Sequence, residues 1–126
     1  MSMKWVTIPE FAARSPETLY HPELSATETA PHDPALQNLH VLARQVVTLP
    51  SFASAILRIT ADDCFKLYVN ETFCGVGPAP AYPSKYYYQE LDITSYLKEG
   101  KNVLATHLYY QGLVNRVWNS GDFRFG

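Results

Sequence analysis

The pattern of apolar and polar residues divides the chain into an irregular arm and a strand-rich body. Residues 9–37 are rich in proline, serine, threonine and histidine and follow neither the period of a strand nor that of a helix. Residues 4–8 before them could form one edge strand, with Trp5 as its apolar anchor. We predict an irregular arm over residues 1–38 and a folded domain over 39–126.

Short apolar runs separated by turn residues predict a series of strands in that domain. These strands span residues 40–49, 54–60, 64–70, 72–76, 86–91 and 102–110. Phe65, Leu67 and Val69 alternate with Lys66 and Tyr68, which is typical of a half-buried strand. The run 102–110 is apolar on both faces, so we expect that strand at the centre of a sheet.

The segments between these strands carry clear turn signals. Three prolines in residues 77–83 exclude a central strand there and predict a loop. Residues 92–100 are typical of one helical turn, which Asp92 caps at the start and Gly100 ends in a left-handed conformation. Without alternating strands and helices, the pattern predicts an all-β fold, an antiparallel β-sandwich with one short helical turn.

Length and charge narrow the classes of function. The 126 residues fit one domain, and a net charge of -2 with a pI near 6.0 gives no reason to expect a nucleic acid or an anionic membrane as partner. The sequence has no apolar stretch of about 20 residues and no signal-peptide pattern at its start. We expect the chain as given to be cytoplasmic, while a longer parent could be exported.

Cys64 and Cys74 are too few for a disulfide scaffold. A turn near residues 70–72 would place them on neighbouring strands but not opposite each other, which argues against a bridge. We predict two reduced thiols in the core.

Four short motifs follow one another in the second half of the chain. They are LYVN (67–70), GVGP (75–78), DITSYL (92–97) and GKNV (100–103). This ordered set resembles the accessory sugar-binding sandwich of glycoside hydrolases, including β-galactosidases and β-glucuronidases. The resemblance implies a jelly roll of the galactose-binding type.

Two further stretches, HLYYQG (107–112) and NRVWNSGD (115–122), resemble the N-terminal domain of bacterial α-L-rhamnosidases. The resemblance covers residues 39–126, and the chain then stops in what looks like the middle of a strand. One departure is Glu71, since the family has glycine after the motif asparagine. Because glutamate avoids positive φ angles, we expect a loop that extends through Thr72 in place of a two-residue turn.

The acidic residues do not form a convincing catalytic pair. Glycoside hydrolysis normally needs two carboxyl groups on either side of the bond. Asp62 and Asp63 are neighbours in a turn, Asp92 is a cap, and Glu99 ends a solvated turn. We therefore expect no catalysis by this chain alone. In the rhamnosidases that it resembles, the catalytic acid belongs to a separate helical barrel domain.

Sugar binding has a better physical rationale, because aromatic rings stack on the apolar faces of sugars while polar groups bind the hydroxyls. Tyr82 and Trp118 lie near predicted loops, and Arg116 and Asp122 are their polar companions. These four are our candidate carbohydrate-binding residues. The alternative is that most aromatic residues only pack the sandwich.

We assign no cofactor and no metal. A calcium site formed by Asp62, Asp63 and Asp122 is an open alternative, but no dense acidic loop supports it. His107 lies within a strand, where a packed or hydrogen-bonded histidine is more common than a ligand, and it receives no role.

The sequence thus favours a non-catalytic accessory domain of an α-L-rhamnosidase-like enzyme, with the catalytic domain of that enzyme as its partner. The alternatives are an autonomous binding module for rhamnose-containing glycans and a purely structural spacer. We also expect the chain to self-associate through unpaired sheet edges.

Overall fold

The computed structural model describes residues 6, 8, 9, 38–61, 63–79 and 87–111. Its strands are β1 (Leu39–Leu49), β2 (Ile56–Ile59), β3 (Cys64–Val69), β4 (Thr72–Gly77), β5 (Gln89–Asp92) and β6 (Gly100–Tyr110). One 3-10 turn, Thr94–Tyr96, lies between β5 and β6. The predicted all-β class is confirmed, and a short helical turn lies between β5 and β6 as predicted.

The strands form two antiparallel sheets. The larger sheet has the order β1-β6-β3-β4, and the smaller pairs β2 with β5. β6 pairs with β1 along its whole length and with β3 over six residues. The predicted central position of this strand is therefore confirmed.

The core lies between the two sheets. Its buried apolar residues are Ala61, Phe65, Leu67, Val69, Ile93, Leu108 and Tyr110. Leu57, Ile59 and Leu91 of the smaller sheet pack against this cluster. Side chains alternate along a strand. Because Phe65, Leu67 and Val69 of β3 point into the core, the residues between them point to the outer face.

The hairpin between β3 and β4 corrects one prediction. Val69 pairs with Thr72, so the connection is a two-residue turn and not a longer loop. Asn70 and Glu71 have φ angles of 48° and 69°, the left-handed values that such a turn requires. Long-range hydrogen bonds hold Asn70, and Glu71 adopts the conformation that the register of the two strands imposes.

The helical turn is capped as predicted at one end only. The Thr94 backbone N–H donates to Asp92 Oδ1 at 2.9 Å. At the other end the prediction for Gly100 is wrong, because the 3-10 turn ends at Leu97 in extended conformation. Gly100 does have a left-handed φ of 88°, but it uses this angle to start β6.

Cys64 and Cys74 are both free and half-buried. Phe65 pairs with Gly77 and Leu67 with Gly75, so the two cysteines do not lie opposite each other. Cys74 packs against the core as predicted. Cys64 does not, because the alternation of β3 places it on the outer face.

The predicted strand 4–8 lies mostly outside the described residues, although Ile8 packs against the core. The rest of the arm to residue 37 and the segment 112–126 also lie outside them, so the domain boundaries stay predictions. Within the described residues, no helix is long and apolar enough to cross a membrane.

Candidate functional site

The four predicted sugar-binding residues, Tyr82, Arg116, Trp118 and Asp122, lie outside the described residues. They stay predictions. The described residues contain another candidate site on the outer face of the four-stranded sheet, the face that points away from the smaller sheet.

Strand register fixes which side chains share this outer face. One row across the sheet contains His40, Tyr109 and Cys64. The next contains Leu42, His107, Lys66 and Val76, and the one after it Arg44, Ala105, Tyr68 and Phe73. The outer face is therefore a mixed surface of cationic, aromatic and apolar side chains.

The charge of this sheet has a single sign. Its four strands contain no aspartate and no glutamate, and their only charged side chains are Arg44, Lys66 and Lys101. The smaller sheet differs, because Arg58 forms an ion pair with Glu90 at 2.5 Å there. In a chain of net charge -2, the four-stranded sheet is thus locally basic.

One hollow on the outer face lies near the β3–β4 turn and has a volume of about 660 Å³. Val103 and Ala105 of β6 line it, with Arg44 on one side and Tyr68 on the other. At the turn it is also lined by Asn70, Glu71 and Lys98. The Tyr68 ring meets the Phe73 ring edge-on, with 5.6 Å between their centroids. The small side chain of Ala105 leaves the hollow open between these longer neighbours.

A second hollow, of about 570 Å³, lies at the other end of the same face. His40 Nδ1 and His107 Nε2 approach to 2.9 Å, and the His40 ring lies 4.8 Å from the Tyr109 ring. Tyr109 donates its hydroxyl hydrogen to Asn38 Oδ1 at 2.7 Å. Lys66 also lines this hollow.

The two histidines form one hydrogen-bonded unit, since one ring nitrogen must donate and the other must accept. The prediction of a hydrogen-bonded His107 is confirmed, and its partner is another histidine. Burial raises the pKa of the neighbouring Cys64 thiol; the charge of Asp63 raises it further and that of Lys66 opposes this. A thiol with a raised pKa is a weak nucleophile at neutral pH.

A pair of asparagine side chains lies beside the first hollow and is fully hydrogen-bonded. Asn102 is completely buried; its amide donates to the carbonyls of Lys98 and Gly100, and its Oδ1 accepts from Asn70 Nδ2 at 2.8 Å. Asn70 also donates to the Tyr96 carbonyl and accepts from the Val103 N–H. These amides are used in holding the turn, the helical turn and β6 together, so we assign them a structural role.

Three of the five described carboxylates are used in structure, whereas Glu71 and Glu99 are exposed. Asp63 is buried, and its Oδ2 accepts from the Gln111 N–H at 2.6 Å. Asp92 binds Thr94, and Glu90 pairs with Arg58. No group of three or more histidine, cysteine, aspartate or glutamate side chains that could hold a metal occurs among the described residues. Asp62 and Asp122, two of the predicted calcium ligands, lie outside them.

An apolar cavity of about 410 Å³ lies between the two sheets. Val41, Leu57, Ile59, Leu67 and Leu108 are among the residues that line it. Arg44, Gln45, Arg58 and Thr106 also line it, but its surface is mostly apolar, whereas sugar hydroxyls need polar partners. We therefore place the candidate site on the outer face.

Sequence reasoning missed the outer-face residues Arg44, Lys66 and Tyr68. A signal was present, since the strands that form the four-stranded sheet contain no acidic residue. That signal indicates a basic face only when the pairing of β1 and β3 with β6 is known, because the pairing places distant segments of the chain on one face.

Comparisons with known proteins agree with this architecture. No family model and no curated protein matches the chain. Among solved structures, it is similar to a GH78 family rhamnosidase of Bacillus sp. GL1, with a TM-score of 0.65 and 28% identity over 71% of this chain and 10% of that one. An FMN-binding β-glucuronidase from Faecalibacterium prausnitzii has a TM-score of 0.54 at 14% identity, over 79% of this chain and 17% of that one.

The second likeness shows the fold alone, whereas the first also includes sequence identity. Both proteins are glycosidases by name, and the chain spans only a small part of each. The chain is therefore similar to β-sandwich domains found within glycoside hydrolases.

Proposed function

We propose that this chain serves as a non-catalytic accessory domain of an α-L-rhamnosidase-like glycoside hydrolase, supporting the catalytic domain and its substrate cleft. The observation that carries the proposal is the likeness to the Bacillus rhamnosidase, which covers 71% of this chain but only 10% of that enzyme. A segment of that size is a small part of the enzyme, which supports an accessory role for it.

The state of the carboxylates supports the non-catalytic part of the proposal. Retaining and inverting glycosidases typically hold two carboxyl groups about 5–10 Å apart around an open cleft. Asp63 is buried and bound to backbone, Asp92 caps a turn, and Glu90 is paired with an arginine. These three groups already have structural partners, and the other two described carboxylates, Glu71 and Glu99, are exposed in turns.

A domain exchange tests the accessory role. The segment of the Bacillus rhamnosidase that matches this chain is replaced by residues 1–126, and a second variant lacks the segment altogether. We expect the deletion to reduce soluble yield and hydrolysis of p-nitrophenyl α-L-rhamnoside, and the chimaera to restore both. The chain alone, assayed in parallel, is expected to show no turnover.

A matched control chimaera carries N102A, which removes the buried amide but leaves every exposed residue unchanged. It should restore less soluble yield and activity than the unmodified chimaera, because a destabilised domain supports its neighbour less well. A chimaera no better than the deletion, or turnover by the isolated chain, would contradict the proposal.

An autonomous carbohydrate-binding module is the second candidate, and the two hollows beside Tyr68 and Tyr109 favour it. Titration of the purified chain with L-rhamnose and rhamnose-containing oligosaccharides, followed by calorimetry, tests this function. Saturable binding supports it, and no heat at high millimolar sugar contradicts it.

A further inference from the structure

We propose that the outer face of the four-stranded sheet binds acidic oligosaccharides, that is, sugars that carry a carboxylate. Arg44 and Lys66 are the cationic contacts in this proposal, and Tyr68 is the stacking surface. The ligand lies along β6 between them. This inference goes beyond the accessory role and names both a ligand class and its site.

The charge distribution is the first argument. Arg44 projects from β1 and Lys66 from β3, and β6 runs between these strands. A ligand lying along β6 thus has one cation on either side. The four strands carry no acidic side chain; at the turn end of the hollow, Glu71 lines it together with a further cation, Lys98.

These two cations are also available. The guanidinium of Arg58 on the smaller sheet is engaged by Glu90. By contrast, no hydrogen bond or ion pair joins the side chain of Arg44 or Lys66 to any described residue. A carboxylate that reaches Arg44 could therefore form a charge-assisted hydrogen bond without displacing a protein partner.

The shape of the face is the second argument. Ala105 and Val103 form a low strip along β6, and Tyr68 rises beside it. The edge contact with Phe73 holds the Tyr68 ring, so stacking on it costs little conformational entropy. Hollows of about 570 and 660 Å³ lie within the usual range for small-ligand sites.

The sparse charge distinguishes between classes of ligand. Nucleic acids are bound by surfaces of high positive potential, which three cations in a chain of net charge -2 do not provide. A sugar with one carboxylate per ring needs fewer cations and also offers an apolar face to Tyr68. The choice of a sugar over an acidic peptide rests on the proposed role in a glycoside hydrolase, and the peptide is included in the test.

The experiment titrates the 126-residue chain with trigalacturonic acid at low salt and follows backbone amide signals and heat. We expect saturable binding that weakens as salt is added, because the contacts are exposed. The shifted signals should include Arg44, Lys66, Tyr68 and Ala105. R44Q/K66Q should weaken binding about tenfold or more, since each change removes a contact to a charged group.

Three controls make the result specific. R58Q changes a cation on the smaller sheet and should leave the affinity unchanged. The methyl ester of trigalacturonic acid keeps the sugar but removes the charge, and it should bind much more weakly than the acid. Pentaglutamate keeps the charge without the sugar, and it should also bind weakly.

Each contrary outcome has a distinct meaning. No binding of trigalacturonic acid, or equal binding of its methyl ester, overturns the proposal. Equal binding of pentaglutamate overturns it in favour of an acidic protein partner. If the chain restores activity in the domain exchange but does not bind acidic sugars, the proposed site is wrong and the accessory role stands. If it binds acidic sugars but does not restore activity, the site stands and the accessory role is wrong.

Discussion

At the scale of single residues, the side chain with the largest predicted effect on stability is Asn102. It is completely buried, and its amide forms four hydrogen bonds, to Lys98 N and O, Gly100 O and Asn70 Nδ2. Alanine at this position leaves several buried polar groups without partners. We expect N102A to lower the free energy of unfolding by about 3 kcal/mol or more, measured by urea denaturation.

Asn38 provides the matched control, because its side chain accepts one exposed hydrogen bond from Tyr109. Its φ is 54°, so glycine is the replacement that avoids backbone strain. N38G should cost less than about 1 kcal/mol. If N38G and N102A lowered the free energy of unfolding equally, the larger effect that we predict for the buried side chain would be contradicted.

Asp92 gives the fold a dependence on acid. Hydrogen bonds from the side chain and then from the backbone of Thr94 lower the pKa of Asp92 below the usual aspartate value. The ionised form is therefore stabilising above the pKa of the unfolded chain, and this contribution is lost as the pH falls through the lower pKa of the folded state. We expect D92N to be less stable than the original chain near neutral pH and to differ less from it in acid.

Urea denaturation of both proteins between neutral and acidic pH measures that difference. T94S, which keeps both donors to Asp92, serves as the control and should retain the pH dependence of the original chain. If the difference in free energy of unfolding between D92N and the original chain stayed constant with pH, this role for the carboxylate would be excluded.

Cys64 should react slowly. Burial, followed by the charge of Asp63, raises its thiol pKa, and Lys66 partly opposes them. In a C74S background, we expect alkylation by iodoacetamide near neutral pH to be slower than that of glutathione. K66Q should slow it further, because the opposing charge is then lost. A rate above that of glutathione would show that the thiol is activated.

Local chemistry was sufficient to predict the cap at Asp92, because Asp92 and Thr94 are two positions apart in the sequence. It was not sufficient for Asn70 and Asn102, which are 32 positions apart and meet through the pairing of β3 with β6. The motifs that contain these asparagines supported the resemblance. Their physical role became visible only in the fold.

At the scale of elements, the β3–β4 hairpin contains backbone strain. Glu71 has a φ of 69°, which costs a residue with a side chain about 1 kcal/mol and costs glycine far less. We expect E71G to raise the free energy of unfolding by about 0.5–1 kcal/mol. E71A is the control for the lost charge and should give no such gain. Equal effects of the two variants would point to charge as the cause.

The strands were predictable where side chains alternate strongly, as in β3, or where both faces are apolar, as in β6. The turn between β3 and β4 was not, because local preference disfavoured positive φ at Glu71 and strand register overrode that preference. Gly100 is a second example. Its positive φ was predicted, but that it begins β6 and does not end the helical turn was not.

At the scale of the whole molecule, the expectation of self-association stays a prediction, and the fold suggests its location. β1 is an edge strand of the four-stranded sheet, and Leu42 and Val46 on it are 80% and 45% exposed. An exposed edge strand with apolar side chains favours pairing between chains. We expect sedimentation velocity to show association that increases with concentration and that L42S/V46S reduces.

I56S serves as the control, because Ile56 is exposed on the other sheet. It should leave the association unchanged. A chain that remains monomeric at every concentration would contradict the prediction.

The candidate site was the least predictable part of the molecule. Tyr82 and Trp118 are candidates because aromatic residues near loops often bind sugars, an argument that needs no knowledge of the sheet. The outer face is assembled from β1, β3, β4 and β6, and its charge depends on the order in which they pair. A one-dimensional pattern shows which strands lack acidic residues but not that Arg44 and Lys66 flank the same strand.

The buried amide pair also acts as a check on strand alignment. If β6 slipped by one residue against β3, Asn102 would move to the opposite side of its strand, and Asn70 would lose its amide partner. A misaligned sheet would thus be destabilised by buried amide groups without hydrogen-bond partners, in addition to poor packing. Variants without this pair should tolerate alternative alignments and give broader, less cooperative unfolding, even where their average stability is restored by other substitutions.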